Sequence, residues 1–227
     1  MISANLDGLQ YSHFLKRPLP RDVYTALRRD AFSCWPNSQR IVGSRCILET
    51  EGEVNGRGKS NVSGPGPELN AFHSGFGMHL AQELAEHDGD IIPTRASFLF
   101  YETNDYTFFH HDAITAHITV IVGLSEHLRP LILYPHFGCV TSDDVAKLNT
   151  ITEPDLLNVS ERMSSLFGSS RAKTVEIELP AGSAIAIPGR RIPHMRPIQS
   201  ASSIVCAACY AFVFPQSRWL TPRHEPA

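Results

Sequence analysis

The chain of 227 residues reads as a mostly β protein, a double-sheet jelly roll supported by α-helices. Three observations predict this. From Ala96 onward, short apolar runs separated by turn residues recur toward the C-terminus, the texture of closely spaced strands. Before them lie two segments whose apolar residues fall at helical spacing. Between two groups of strands, residues 142–168 repeat that spacing through Leu156, Val159, Met163 and Leu166, as a helical insertion would. Helices that back a set of short strands fit this layered arrangement. The expected organisation is one domain over 1–227. Residues 1–94 give helical support and a lid loop, 95–214 the jelly-roll core with its insertion, and 215–227 a tail.

Pro18–Phe32 is expected to be helical: Pro20 suits a first turn, and Val23, Ala26, Leu27 and Ala31 form an apolar stripe. A strand follows over Arg40–Leu48. Glu51–Pro67 is polar and Gly-rich, which predicts a loop, and a loop of that length is a candidate lid. Leu69, Phe72, Phe76, Leu80 and Leu84 then predict one helix ending at Asp88-Gly89. The core strands are ASFLFYE, HITVIVGL, PLILYP, KTVEIEL, SAIAIP and SIVCAACYAFVF. In the last of these, Cys206 and Cys209 are expected on opposite faces, which reads as core cysteines rather than a disulfide or metal pair.

Composition excludes several functions. The formal net charge is -3 and the charged content 19%, with no basic tract for nucleic acid. No apolar run is long enough to span a membrane, and the N-terminus lacks a signal-peptide pattern. Five cysteines, an odd number, suit a reducing compartment, so the expectation is a cytoplasmic protein. The absence of a recognition repeat or basic groove favours a small-molecule substrate.

The stretch YETNDYTFFHHD, Tyr101–Asp112, carries the chemistry. Among 11 histidines, His110 alone begins a His-x-Asp pattern. On a strand, residues i and i+2 share a face, so His110 and Asp112 can reach one metal while His111 points away. His194, after the strand-plus-turn AGSAIAIPGRRIP, can supply a third ligand. Two imidazoles and one carboxylate form a facial set that leaves adjacent positions open on iron(II), the arrangement of mononuclear non-haem iron oxygenases.

Residues from about Arg95 to Phe214 resemble the iron(II)/2-oxoglutarate-dependent dioxygenases of the double-stranded β-helix fold, in their prolyl-hydroxylase-like branch. Tyr101 stands nine residues before His110, as in that branch. HITVIVGLSEHLRPLILYP matches its Thr-bearing strand, turn and following strand, with Thr119 at the threonine position, and Gly182 leads the strand before His194. The resemblance implies Fe(II), 2-oxoglutarate and O2, with Tyr101 and Thr119 near the co-substrate. It also implies hydroxylation, desaturation or ring closure at a C–H bond; halogenating relatives carry Gly or Ala where this chain has Asp112. The cation usual about ten residues after the distal histidine is absent, since Ser203-Ile204 stands there. Arg129-Pro130 replaces a Gly-Gly pair, and Asn104 replaces a glycine. A dicarboxylate still needs a cationic anchor, for which Arg196 and Arg129 are the candidates and Arg190 and Arg191 the alternatives.

Substrate contacts expected on this reading are Glu102, Asp105, Arg190 and Arg191, which together could pair with the ammonium and carboxylate of a free amino acid. Two other functions fit the same residues. One is a cupin-type metal oxygenase that uses no 2-oxoglutarate. The other is a jelly-roll binding module without catalysis.

Overall fold

The computed structural model describes residues 14–43, 58–85, 91–112, 115–137, 140–201 and 204–213. Eleven strands and five α-helices are present among them. β1 (Leu15–Pro18) precedes α1 (Arg21–Cys34), and β2 (Gln39–Val42) pairs antiparallel with β3 (Gly58–Ser63). α2 (Pro67–Ser74) and α3 (Phe76–Ala85) lead into β4 (Ile91–Tyr101), β5 (Tyr106–His110), β6 (Ile118–Gly123) and β7 (Leu131–Leu133). After α4 (Ser142–Leu148) and α5 (Val159–Phe167) come β8 (Val175–Ile177), β9 (Ser183–Ile187), β10 (His194–Arg196) and β11 (Ile204–Val213).

The strands run in the order β1-β9-β6-β11-β4-β3-β5-β10-β7-β8. β3 joins two sheets: Asn61–Ser63 pair with β4, whereas Gly58 and Lys59 pair with β5. Side-chain alternation then sorts the apolar residues into three layers. From the major sheet, Phe98, Phe100, Ile118, Val120, Val122, Ala184 and Ala186 pack with Leu27, Leu69, Phe72 and Leu80 of the N-terminal helices. Their neighbours Ile121, Ile185 and Ile187 face inward, onto Leu131, Leu133 and Ile177 of the minor sheet. The outer face of the minor sheet, through Phe108, Ile132 and Met195, packs on Leu148, Leu156 and Met163 of the insertion. The jelly roll with helical support and a helical insertion is the observed architecture.

Individual elements depart from the expectation for identifiable reasons. The helix predicted from Leu69 to Leu84 breaks at Gly75, whose φ of -111° and ψ of -102° leave the helical region, a backbone excursion glycine makes at least cost. Asp30 of α1 accepts from the Leu69 amide at 2.9 Å, so one helix caps the start of the next. The loop expected over Glu51–Pro67 is overturned at Gly58–Ser63, which is β3. Its Ser60, Asn61 and Ser63 are buried because the strand lies between β4 and β2. Residues 44–57, which hold the start of that loop and the end of the predicted strand, lie outside the described residues, as does the tail. The helix expected from Pro18 starts at Arg21, and Leu15–Pro18 instead pair with β9. Two Thr-Asp capping boxes, Thr141 with Asp144 and Thr152 with Asp155, start the turns of the insertion. Arg171 then clamps Asp144 through two contacts of 2.7 Å and lies 4.2 Å from the Phe137 ring centroid.

Candidate metal centre

The inner face of the minor sheet carries the site. β10 pairs with β5 so that His194 lies opposite His110 and Arg196 opposite Thr107. Two steps along β10 therefore match three along β5, which is a β-bulge. The extra residue sends both Phe108 and Phe109 to the outer apolar layer. It also returns His110 to the inner face that Thr107 shares. Without the bulge, alternation would turn His110 outward when Thr107 faces in.

Both imidazoles are oriented by the backbone. His110 Nδ1–H donates to the Phe108 carbonyl at 2.6 Å, and His194 Nδ1–H donates to the Ile192 carbonyl at 3.0 Å. A carbonyl only accepts, so each Nε2 is the lone-pair nitrogen, the form in which histidine binds metals. His110 Nε2 lies 3.7 Å from Asp112 Oδ1, and His194 Nε2 lies 3.7 Å from Asp112 Oδ2. One ligand atom from each of the three lies within 4.8 Å of the others, and all three residues are buried. Such a donor set of two neutral imidazoles and one carboxylate fits a divalent transition metal.

Asp112 is held from two sides. Its amide donates to the Gly189 carbonyl at 3.0 Å, and its Oδ2 accepts from the Thr119 hydroxyl of β6. A Cβ on residue 189 would lie 1.9 Å from that oxygen, so the close approach requires glycine there. His111 turns aside and donates from Nδ1 to the Arg190 carbonyl at 2.9 Å. Burial pushes its pKa down to about 4, which keeps the ring neutral at physiological pH.

Arg196 is the one predicted cation that the structure buries beside this site, at 2% exposure. It shares the inner face of β10 with His194. Its guanidinium donates to the Arg129 carbonyl at 2.5 Å and lies 5.8 Å from the Tyr101 ring centroid. Among the described residues no carboxylate pairs with it. Tyr101, also buried, shares a hydrogen bond of 2.8 Å with Thr107, the cross-strand neighbour of Arg196.

The other candidates are placed differently. Arg129 is exposed and contributes its backbone, accepting from Arg196 and donating from its amide to Gln199 at 3.0 Å. Thr119, expected at the co-substrate, points its hydroxyl at Asp112 instead. Asp105, expected at a substrate amine, does not fit that role: Arg40 occupies both its oxygens, at 2.5 and 2.6 Å, and the Glu102 amide adds a third bond at 2.8 Å. Glu102 is exposed and accepts from Asn61 at 3.1 Å. These residues form a turn in which Asn104 adopts φ 72°, a left-handed conformation that asparagine tolerates in place of glycine. Arg190 lies beside the triad, its Nη1 donating to the Asp112 carbonyl at 3.3 Å, whereas Arg191 is exposed. Sequence reasoning missed Gly189, Thr107 and Arg40. Only Gly189 carried a local signal, the Pro-Gly turn pair, and that signal says nothing of a carboxylate behind it.

Several solved structures share this architecture at low sequence identity. A prolyl hydroxylase from Trichoplax adhaerens, in complex with a hypoxia-inducible-factor peptide fragment, superposes with a TM-score of 0.58 at 15% identity, covering 92% of this chain and 87% of that one. A prolyl-4-hydroxylase from Pseudomonas putida gives 0.55 at 10%, covering 88% and 92%. HygX from Streptomyces hygroscopicus, with nickel, 2-oxoglutarate and hygromycin B bound, gives 0.57 at 7%, covering 88% and 82%. No family model and no curated protein matches the sequence. The fold is the double-stranded β-helix of the iron(II)/2-oxoglutarate oxygenases. Within that fold this chain brings together a buried His-Asp-His triad and, two residues along the same strand, a buried arginine.

Proposed function

We propose that this chain is an iron(II)- and 2-oxoglutarate-dependent oxygenase that oxidises a C–H bond of a small organic molecule. The observation that carries the proposal is the pairing of the triad with Arg196 on one face of β10. A buried guanidinium without a counter-ion is costly, and a bound carboxylate would remove that cost. Residues i and i+2 of a strand lie about 6.6 Å apart, a span that suits a five-carbon dicarboxylate between metal and cation. Arg196 thus takes the part of the cation absent at Ser203-Ile204.

His110, Asp112 and His194 would hold the metal. When bound, iron(II) with a 2-oxo acid supplies the activation of O2 that breaks an unreactive C–H bond. Arg196 would orient the far carboxylate of 2-oxoglutarate, with the Tyr101 and Thr107 hydroxyls beside it. Ile121, Ile185 and Ile187 form an apolar wall that excludes water from the reacting atoms. For the substrate, Arg190 is the contact best placed, which favours a molecule bearing an anionic group. Of the acidic pair expected at a free amino acid's ammonium, Asp105 is committed to Arg40, which leaves Glu102 as the carboxylate for that role.

The test is anaerobic loading with Fe(II), then 2-oxoglutarate, followed by oxygen. The expected results are a weak visible charge-transfer band and formation of succinate. Arg196→Ala is expected to bind iron normally and to raise the half-saturating 2-oxoglutarate concentration by about 30-fold or more, since a buried charge partner contributes about 2 kcal/mol or more. Iron binding with oxygen uptake but no succinate would make it an oxygenase independent of 2-oxoglutarate. No iron binding would leave a binding module.

A further inference from the structure

Two segments converge on one oxygen of Asp112. Thr119 sits between Ile118 and Val120, which point at the helices, so its own side chain faces inward and its hydroxyl donates to Oδ2. Gly189 closes on the same oxygen, and a Cβ there would also stand 2.7 Å from Thr119 Oγ1. Thr119 is fixed in turn by its pairing with Ile187, two residues before that glycine. Each Asp112 oxygen lies 3.7 Å from one imidazole Nε2, Oδ1 from His110 and Oδ2 from His194, so the Thr119 bond and the Gly189 approach are what set Oδ2 apart.

This asymmetry has a consequence for coordination. A carboxylate can bind a metal through one oxygen or through both. With two histidines, a two-oxygen Asp112 would leave two positions of an octahedron, whereas a chelating 2-oxo acid and O2 together need three. We propose that Thr119 is a positioning residue that keeps Asp112 a one-oxygen ligand by tying Oδ2 in a charge-assisted hydrogen bond, preserving three open positions on the metal. The inference rests on the iron-oxygenase reading above and replaces the expectation that Thr119 contacts the co-substrate. Hydroxyl-to-carboxylate bonds are among the stronger hydrogen bonds, and losing an outer-shell partner of a metal ligand costs about 10- to 100-fold in affinity or activity.

The test compares wild type, Thr119→Val, which keeps the branched shape without the hydroxyl, and Thr119→Ser, which keeps the hydroxyl. Each is loaded anaerobically with Co(II), whose visible absorption reports coordination, and titrated with 2-oxoglutarate. The expected result is an altered Co(II) spectrum and about 10-fold or weaker 2-oxoglutarate binding in Thr119→Val, with Thr119→Ser close to wild type. If Thr119→Val does not fold, Thr119→Ala against Thr119→Ser makes the same comparison. A hydroxyl-free variant with the wild-type spectrum and 2-oxoglutarate affinity would overturn the inference and leave the proposed function standing. Wild-type protein that binds no Co(II) would overturn both.

Discussion

Gly189→Ala adds one methyl group at the point where the chain passes closest to the triad. The new Cβ would stand 1.9 Å from Asp112 Oδ2, against 3.4 Å for ordinary contact, so the carboxylate must retreat by roughly 1.5 Å. Metal sites tolerate ligand displacements of only about 0.2 Å. Asp112 is 3% exposed and cannot swing into water, and the new Cβ would also stand 2.7 Å from the Thr119 hydroxyl that holds it. One ligand of three is therefore lost, and metal affinity should fall by about 100-fold or more, beyond the top of the range for outer-shell changes. The overpacking itself should cost about 1–3 kcal/mol, leaving the variant folded but less stable. A metal at about 100 times its Kd stabilises by about 2.7 kcal/mol, which is roughly 5–11 °C in Tm for a chain of this size. Thermal unfolding with and without Mn(II) or Co(II) reads both effects. Wild type should gain that increment, and the variant should not. A folded Gly189→Ala protein with the full metal-dependent gain would refute the reasoning.

Two further outcomes concern the scaffold. Arg40→Ala strands the Asp105 carboxylate, which is 2% exposed while Arg40 is 38% exposed. The cost should be about 3 kcal/mol, the lower end for a broken buried pair, because water replaces part of the exposed partner. Chemical denaturation measures it, and an unchanged midpoint would show that Arg40 does not hold the turn before β5. The Arg171 guanidinium, together with hydrogen bonds from Thr141, holds the Asp144 carboxyl well below the usual carboxylate range. Because its pKa is depressed in the fold, Asp144 contributes stability in full above about pH 4 and loses it as the pH falls further. Asp144→Asn should therefore lower stability at pH 6 and flatten its decline in acid. A variant that retains the wild-type slope below pH 4 would contradict this.

His110-x-Asp112 was legible because strand alternation and metal chemistry are both local rules, and the apolar runs marked most of the strands. The bulge that makes the pattern work was not legible. Phe108 and Phe109 look like any strand aromatics, and both turn outward because the insertion offers an apolar surface there. The short strands β1, β3 and β10 were missed for a related reason: polar or very short segments become strands when a neighbouring edge needs hydrogen bonds.

The sequence by itself determined the layered architecture, the helical insertion and the three residues of the triad, since each rests on periodicity or on the coordination chemistry of adjacent side chains. Which of Arg129, Arg190, Arg191 and Arg196 lies buried beside the triad belonged to the tertiary structure, because four cations of equal chemistry differ only in burial and surroundings. So did the withdrawal of Asp105 into its pair with Arg40 and the turn of Thr119 toward Asp112. Burial and pairing are set by which strand lies opposite which, and residues distant in the chain decide that together.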